Sequence, residues 1–104
     1  MRDTEKELVE EALNVRESDE VNGYGAVLLL KQAGASNKII EIAEGALEGE
    51  ANAKGVRQLV MSYLKDIEEA QDPGTSKERL SELLSHPDPE VSKAARNNPG
   101  ARNL

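Results

Sequence analysis

The fold is decided by one stretch near the end of the chain, Thr75-Ser-Lys-Glu-Arg-Leu-Ser-Glu-Leu-Leu-Ser-His-Pro-Asp-Pro-Glu-Val-Ser-Lys-Ala-Ala-Arg-Asn-Asn-Pro99. It predicts a short leucine-bearing helix, a turn at His86-Pro-Asp-Pro89, a second short helix and a stop at Asn98-Pro99. Asp88 is a suitable N-cap, and Pro89 suits the first helical position because no amide donor is needed there. Such a pair cannot bury its own apolar face and needs a neighbour to stack on, as a helical-repeat unit does.

The neighbour is a long helix predicted over residues 51–70. Apolar residues recur there at intervals of three and four, which indicates one buried face and makes this helix the spine of the core. The residues of that face are Val56, Leu59, Val60, Tyr63, Leu64 and Ile67. The segment Asp72-Pro-Gly-Thr75 then predicts a turn, and Thr75 with Glu78 forms a capping box for the next helix.

Three further helices are predicted upstream, near residues 4–15, 21–33 and 36–49. A capping box of Thr4 and Glu7 opens the first. Gly34 stands where a left-handed C-terminal cap ends the second. Ser36 caps the third, and Gly49 ends it.

Glycines inside these helices predict close approach of neighbouring helices. Gly23 and Gly25 flank Tyr24 at the start of the second helix, and Gly45 lies within the third. Each such glycine costs about 1 kcal/mol of helix stability relative to alanine. The pattern around Tyr24 lacks the third glycine and the preceding strand of a phosphate-binding loop, so close helix packing or a frayed first turn is the better interpretation.

These patterns together predict an all-α fold, because no segment alternates with a two-residue period. We expect a compact bundle of five to six helices that ends in one solenoid-like repeat unit. We expect a single domain over residues 1–104, with a helical core at 1–71, the repeat-like pair at 75–104 packed on it, and residues 99–104 frayed. The alternatives are that this pair recruits a partner through its open end, or that the chain is the front of a longer repeat array. Besides the spine, the residues predicted to be buried are Leu28, Leu29, Ile39, Ile40, Ala43, Leu47, Leu80, Leu83, Leu84, Val91, Ala94 and Ala95.

Residues 75–104 resemble the leucine-rich repeat variant family. The resemblance is carried by Leu80, Leu83 and Leu84, by His86-Pro-Asp-Pro-Glu-Val91, and by Ala94-Ala-Arg-Asn-Asn-Pro99. It implies alternating α and 3₁₀ helices stacked into a right-handed superhelix. Ser92 stands where the family usually has arginine. The family's founding type carries a cysteine-bound iron–sulfur module, which this chain cannot hold because it has no cysteine.

The net charge of −7 is unevenly distributed along the chain. Residues 1–50 carry 12 acids and 5 bases, whereas residues 51–104 carry 8 of each. The excess either serves solubility or forms a surface aimed at a basic partner. It disfavours direct nucleic-acid binding, which needs lysine and arginine to displace counterions. No apolar run approaches the roughly 18 residues of a membrane span, and no signal-peptide segment is visible, so a cytoplasmic location is expected.

Catalytic, cofactor and metal sites are not expected. His86 is the single histidine, and no cysteine could serve as nucleophile or ligand. General acid–base catalysis needs a positioned partner, and metal sites usually need two or more histidines or cysteines. We therefore interpret His86 as a polar turn residue and expect no enzymatic activity.

Three functions remain open. The first is a non-enzymatic protein–protein interaction module or adaptor. The second is a small acidic inhibitor, such as an immunity protein, antitoxin or phage-encoded blocker, that occupies a basic site on its partner. The third is a homo-oligomeric assembly protein. The residues predicted to contact a partner are Tyr24, because its flanking glycines leave it exposed, and Glu41, Glu44 and Glu48, which oppose the apolar stripe of the third helix.

Overall fold

The computed structural model describes residues 5–14 and 22–103, with the side chains of residues 14 and 103 excepted. These residues form six α-helices and one 3₁₀ helix and no β-sheet, which confirms the all-α prediction. The elements are α1 (Glu5–Asn14), α2 (Gly23–Gln32), α3 (Asn37–Glu48), α4 (Ala53–Gln71), α5 (Lys77–Leu84), α6 (Pro89–Arg96) and the 3₁₀ helix Pro99–Asn103. The predicted capping residue Thr4 and the predicted helix end near Val15 lie outside the described residues.

The chain divides into two compact units, residues 1–62 and 63–104, and α4 contributes to both. The described part of the first unit buries a purely aliphatic set of side chains. Its members are Val9, Leu13, Ala26, Val27, Leu30, Ile39, Ala43, Ala46, Ala53, Val56 and Val60. The single-domain interpretation of the sequence stays a prediction.

Two asparagines start α2 and α4 in the same way. The Asn22 side-chain oxygen accepts the Gly25 N–H at 2.8 Å, and that of Asn52 accepts the Gly55 N–H at 2.9 Å. An isolated antiparallel bridge pairs the two asparagines. At Gly23 a Cβ atom would overlap the carbonyl oxygen of Ala51, so the close approach predicted at this glycine is confirmed. The two asparagine caps were not predicted.

The close approach predicted at Gly45 is wrong. Gly45 is exposed, and a Cβ added there would meet no atom within 4 Å. By contrast, Gly34 has φ 82° just after α2, as expected for a left-handed C-terminal cap.

Two leucines predicted to be buried lie at the surface. Leu28 is 56% exposed and Leu59 is 50% exposed. Ala53, Val56, Val60 and Leu64 share one buried face of α4, and Leu59 falls about 100° from the centre of that face. The intervals of three and four residues thus predicted the correct buried face of α4, but they wrongly extended that face to Leu59. Seven other residues that were predicted to be buried are only partly buried, namely Leu29, Ile40, Leu47, Tyr63, Ile67, Leu84 and Ala94.

In the second unit, α5 and α6 pack against the C-terminal part of α4. Its fully buried residues are Ala70, Leu80, Leu83, Val91 and Ala95. Asp88 is the N-cap of α6 and accepts the Glu90 N–H at 2.9 Å, and Pro89 lies in the first turn.

The cap of α5 lies one residue later than predicted. Ser76 Oγ accepts the Arg79 N–H at 3.2 Å. The Thr75 hydroxyl instead donates to the carbonyl oxygen of Glu69 at 2.6 Å and so ties the turn back to α4. Serine and threonine are both good caps, so local sequence could not separate these neighbours.

Residues 99–103 are not frayed, because Asn98 anchors them. Asn98 is 3% exposed, and its amide nitrogen donates to the carbonyl oxygens of Ala70 at 2.9 Å and Asp72 at 2.8 Å. Its side-chain oxygen accepts the Gly100 N–H at 2.9 Å. The 3₁₀ helix follows directly, and Gly100 leaves just enough space for the side chain of Leu80.

The second unit contains the same turn twice. In Asp72-Pro-Gly the Asp72 carboxylate accepts the Gly74 N–H at 2.8 Å, just as Asn98 accepts that of Gly100 in Asn98-Pro-Gly. The main-chain oxygens of Asp72 and Asn98 likewise accept the amide three residues later. Only the asparagine can also donate, and it donates to the preceding turn. Membership in the repeat family stays a prediction.

Candidate functional site

The candidate site lies on the outer face of α3. Ser36 caps this helix by accepting the Ile39 N–H at 3.4 Å, and its own amide donates to the Glu5 carboxylate at 2.9 Å, which ties α1 to the start of α3. Ile39 and Ala43 are buried on the inner face together with Ala46. This anchoring directs the opposite face of α3 to solvent.

Three of the four predicted contact residues meet on that outer face. Glu41, Glu44 and Glu48 are exposed and line one shallow, open groove. The other lining residues are Asn37, Ile40 and Gly45. We call this surface the α3 groove. Along the helix axis the carboxylate-bearing residues are separated by about 4.5 Å and about 6 Å, given a rise of about 1.5 Å per residue.

The charge of the α3 groove is not compensated by the described part of the chain. None of the three glutamates forms an ion pair or side-chain hydrogen bond there, and no lysine or arginine is among the described residues that line the groove.

The same residues weaken α3 as an isolated helix. Glu44 and Glu48 are like charges four residues apart, a spacing that destabilises helices by a few tenths of a kcal/mol. Glu48 is the last residue of the helix, near the negative end of its dipole, and the last turn has no basic residue. Gly45 adds a cost of about 1 kcal/mol relative to alanine. Proteins that break such local rules of helix stability do so at functional or strained sites.

Tyr24 is not part of the α3 groove. It is 72% exposed, as predicted, and lines a separate depression whose other members include Leu47 and Ala51. Leu28 follows one turn later on α2 and is also exposed, so the two form a small apolar pair on the surface. The structure thus brings the three glutamates together and leaves the tyrosine elsewhere.

A charged network in the second unit was missed by the sequence analysis. Arg79 donates from Nε to Glu69 at 2.6 Å, from Nη1 to Glu82 at 3.0 Å and from Nη2 to Asp66 at 2.9 Å. The hydrogen bond to Glu69, and to a lesser extent the one to Glu82, raises the pKa of Arg79 above its already high usual value. Arg79 therefore stays charged at every working pH. The partners lie 10, 3 and 13 residues from Arg79, and only the spacing to Glu82 is visible as a helical interval.

His86 belongs to the same network and does more than occupy a turn. Its Nε2 lies 2.8 Å from Asp66 Oδ2, and its Nδ1 accepts the Asp88 N–H at 3.0 Å. The neutral ring with its proton on Nε2 satisfies both hydrogen bonds. His86 therefore holds the turn that starts α6 against α4. Among the described residues, no group of histidines and acids is arranged to hold a metal ion.

Replacing Arg79 with glutamine is expected to lower the free energy of unfolding by about 1 kcal/mol at low salt. The substitution leaves Asp66, Glu69 and Glu82 close together without their shared cation. Urea unfolding at two NaCl concentrations measures this, with Lys65→Gln as a control that removes the same charge from an exposed site on α4. If Arg79→Gln lowers the free energy of unfolding as much in 1 M NaCl as at low salt, the contribution of Arg79 is not electrostatic.

No family model matches this chain, and neither curated proteins nor solved structures show a significant match. Among the described residues, no helix combines the length and the apolar character needed to cross a membrane. The all-α fold class rests on the helices of the described residues.

Proposed function

We propose that the chain is a non-enzymatic protein-interaction module that binds a basic segment of a cytoplasmic partner protein along the α3 groove. The supporting observation is a group of three exposed glutamates on one helix face, which no lysine or arginine in the described ranges 5–14 and 22–103 compensates. Their arrangement costs α3 stability, and a basic partner would offset that cost by supplying the missing cations.

The contrast with the second unit strengthens this proposal. Asp66, Glu69 and Glu82 share Arg79, and Asp66 also bonds to His86. Glu90 accepts a hydrogen bond from the Tyr63 hydroxyl at 2.7 Å. These acids serve the fold itself. No described side chain forms a comparable contact with the glutamates of the α3 groove.

The two alternative functions use different surfaces or partners. An acidic inhibitor would use the same groove, with the basic nucleic-acid site of its partner as the opposing surface. A homo-oligomeric assembly protein would instead be expected to cover the exposed Tyr24 and Leu28. The adaptor proposal is preferred because any basic segment could pair with the observed charge. The inhibitor would in addition require a partner with a nucleic-acid site.

The experiment compares two double variants with equal net charge. Glu44→Gln/Glu48→Gln neutralises two carboxylates of the α3 groove, and Glu68→Gln/Glu78→Gln neutralises two exposed carboxylates elsewhere. The probe is a fluorescent alanine-based helical peptide with lysines at intervals of three and four, titrated at low salt. The groove variant should bind about tenfold more weakly than the wild type, because two exposed ion pairs contribute about 1–2 kcal/mol in total.

Thermal unfolding of the same variants controls for folding. The groove variant should be as stable as the wild type or slightly more stable, since it removes a like-charge pair at i,i+4. The control variant should bind the peptide almost as tightly as the wild type. Equal weakening by both double variants would mean that only the total charge attracts the peptide, and the proposed groove would then be rejected.

A further inference from the structure

We infer that Asn22 is a site of spontaneous covalent modification, namely deamidation to aspartate or iso-aspartate, and that the cap of α2 controls the rate of this reaction. Asn22-Gly23 is the single asparagine–glycine pair of the sequence. The inference concerns the start of α2 and is independent of the function proposed for the α3 groove.

The reaction needs water but no enzyme and no oxidant. The main-chain nitrogen of Gly23 attacks Cγ of Asn22 and closes a five-membered succinimide ring, while the side-chain nitrogen takes up the displaced proton and leaves as ammonia. Water then opens the ring. Its attack at Cγ gives aspartate, and its attack at the main-chain carbonyl carbon gives iso-aspartate. Glycine favours ring closure because its backbone turns freely and no Cβ crowds the attacking nitrogen.

Two structural demands place this pair at the start of α2. The helix needs a cap, and Asn22 supplies it by accepting the Gly25 N–H at 2.8 Å. The next position has no room for a side chain, since a Cβ at Gly23 would overlap the carbonyl oxygen of Ala51. An asparagine cap followed by a required glycine is also the combination most prone to deamidation.

The folded geometry opposes ring closure. The ring requires the Cβ of Asn22 and the nitrogen of Gly23 to be nearly eclipsed about the Cα–C bond. The ψ angle of 174° at Asn22 keeps them staggered, and the cap hydrogen bond holds the side-chain amide toward Gly25. Gly23 is buried, although Asn22 itself is exposed. The first turn of α2 must therefore open before the ring can form, so the local stability of that turn sets the rate.

Asn52 offers a matched comparison within the same unit. It caps α4 by accepting the Gly55 N–H at 2.9 Å, it is exposed like Asn22, and the two residues pair in an antiparallel bridge. The residue that follows it is Ala53, whose Cβ hinders the same attack. The two caps thus share their geometry and differ in the residue that carries the attacking nitrogen.

The two products have opposite effects on α2. Aspartate caps a helix as well as asparagine does, and its negative charge is favourable at a helix N-terminus. In iso-aspartate the main chain runs through the former side chain and gains a methylene group, and the carboxylate is attached directly to Cα. The cap of Gly25 and the packing of Gly23 on Ala51 are then both displaced.

The test follows the wild type and Ala53→Gly as full chains at neutral pH and 37 °C, in buffer and in guanidinium chloride. Peptide mapping by mass spectrometry measures the conversion of Asn22 and Asn52 separately. In denaturant, Asn22 of the wild type should react at least about tenfold faster than Asn52, and Ala53→Gly should raise the rate at Asn52 to that at Asn22. Equal rates at the two asparagines of the denatured wild type would overturn the assignment of Asn22 as the reactive residue.

In buffer, Asn22 of the wild type should react roughly ten to a thousand times more slowly than in denaturant, because only molecules with an open first turn react. Equal rates in the two solvents would show that the cap does not control the reaction. An Asn22 that stays intact beyond that range would exclude it as a modification site of the folded protein.

Melting temperatures test the effects of the products. Asn22→Asp, which reproduces one product, should melt at or slightly above the temperature of the wild type. The iso-aspartate form, isolated from aged wild type by chromatography, should melt about 4–8 °C lower, as expected for the loss of a helix cap. Equal melting temperatures for these two forms would contradict the opposite effects inferred for them.

Discussion

Asn98→Asp is expected to lower the free energy of unfolding by about 2–4 kcal/mol at neutral pH. The substitution keeps the shape of the side chain and its acceptor for the Gly100 N–H. It removes the two donors to the carbonyl oxygens of Ala70 and Asp72 and places negative charge against them at a site that is 3% exposed. A buried acceptor without a donor costs about 1–3 kcal/mol, and a buried charge without a partner costs more.

Urea unfolding checks this, with Asn97→Asp as the control. Asn97 is the exposed neighbour and receives the same charge change. Burial beside carbonyl oxygens disfavours the charged form of the introduced carboxylate, so its pKa is higher in the folded than in the unfolded state. The folded form therefore binds the proton more tightly, and the stability lost at neutral pH is partly recovered as the pH falls through that raised pKa. Equal losses for the two variants would show that Asn98 does not anchor the second unit.

Leu64→Ala is expected to cost about 2–5 kcal/mol, the range for truncating a large aliphatic side chain in a packed core. Leu64 is 7% exposed on α4, so alanine leaves a cavity that the neighbours fill only partly. The matched control is Leu59→Ala on the same helix. Leu59 is 50% exposed, and its truncation should shift stability by no more than about 0.5 kcal/mol.

The pair of variants tests the buried face of α4 directly. Thermal and urea unfolding of both proteins under one set of conditions give the two losses. A loss for Leu59→Ala as large as that for Leu64→Ala would contradict the assigned face. So would a Leu64→Ala protein as stable as the wild type.

The proposed function concerns the surface rather than the core. The α3 groove combines charge that no described lysine or arginine compensates, a like-charge pair and an exposed glycine on a helix whose inner face is well packed. Each feature slightly weakens the helix, and the packing of Ile39, Ala43 and Ala46 holds it in place. A well-anchored helix can therefore present a face that is optimised for a partner instead of for its own stability.

Much of the site could be predicted because it depends on a single helix. Glu41, Glu44 and Glu48 share a face by their spacing alone, and Ser36 fixes where that helix begins. Tyr24 was correctly expected at the surface, but the sequence could not show that it lies apart from the glutamates. That relation depends on how α2 and α3 pack, which no local pattern contains.

By itself, the sequence determined the all-α fold, the order of the helices and most of their ends. Caps such as Asp88 and Ser36 act over three residues or fewer, and Gly34 is needed by the local backbone, so the chain specifies them without reference to the rest of the fold. Long-range contacts were decided only by the tertiary structure. Arg79 meets Asp66 and Asn98 meets Ala70 because α5, α6 and the final turn fold back on α4.

The glycines show the same division. Gly23 and Gly45 look alike in sequence, since both interrupt a predicted helix, yet one contacts a neighbouring backbone and the other faces solvent. Leu28 and Leu59 likewise continue apolar patterns but fall outside the buried faces. The apolar periodicity gives the direction in which a side chain leaves its helix only to within about 100°, which is the rotation between consecutive residues. Which side is covered depends on the neighbouring elements, and only the assembled tertiary structure supplies them.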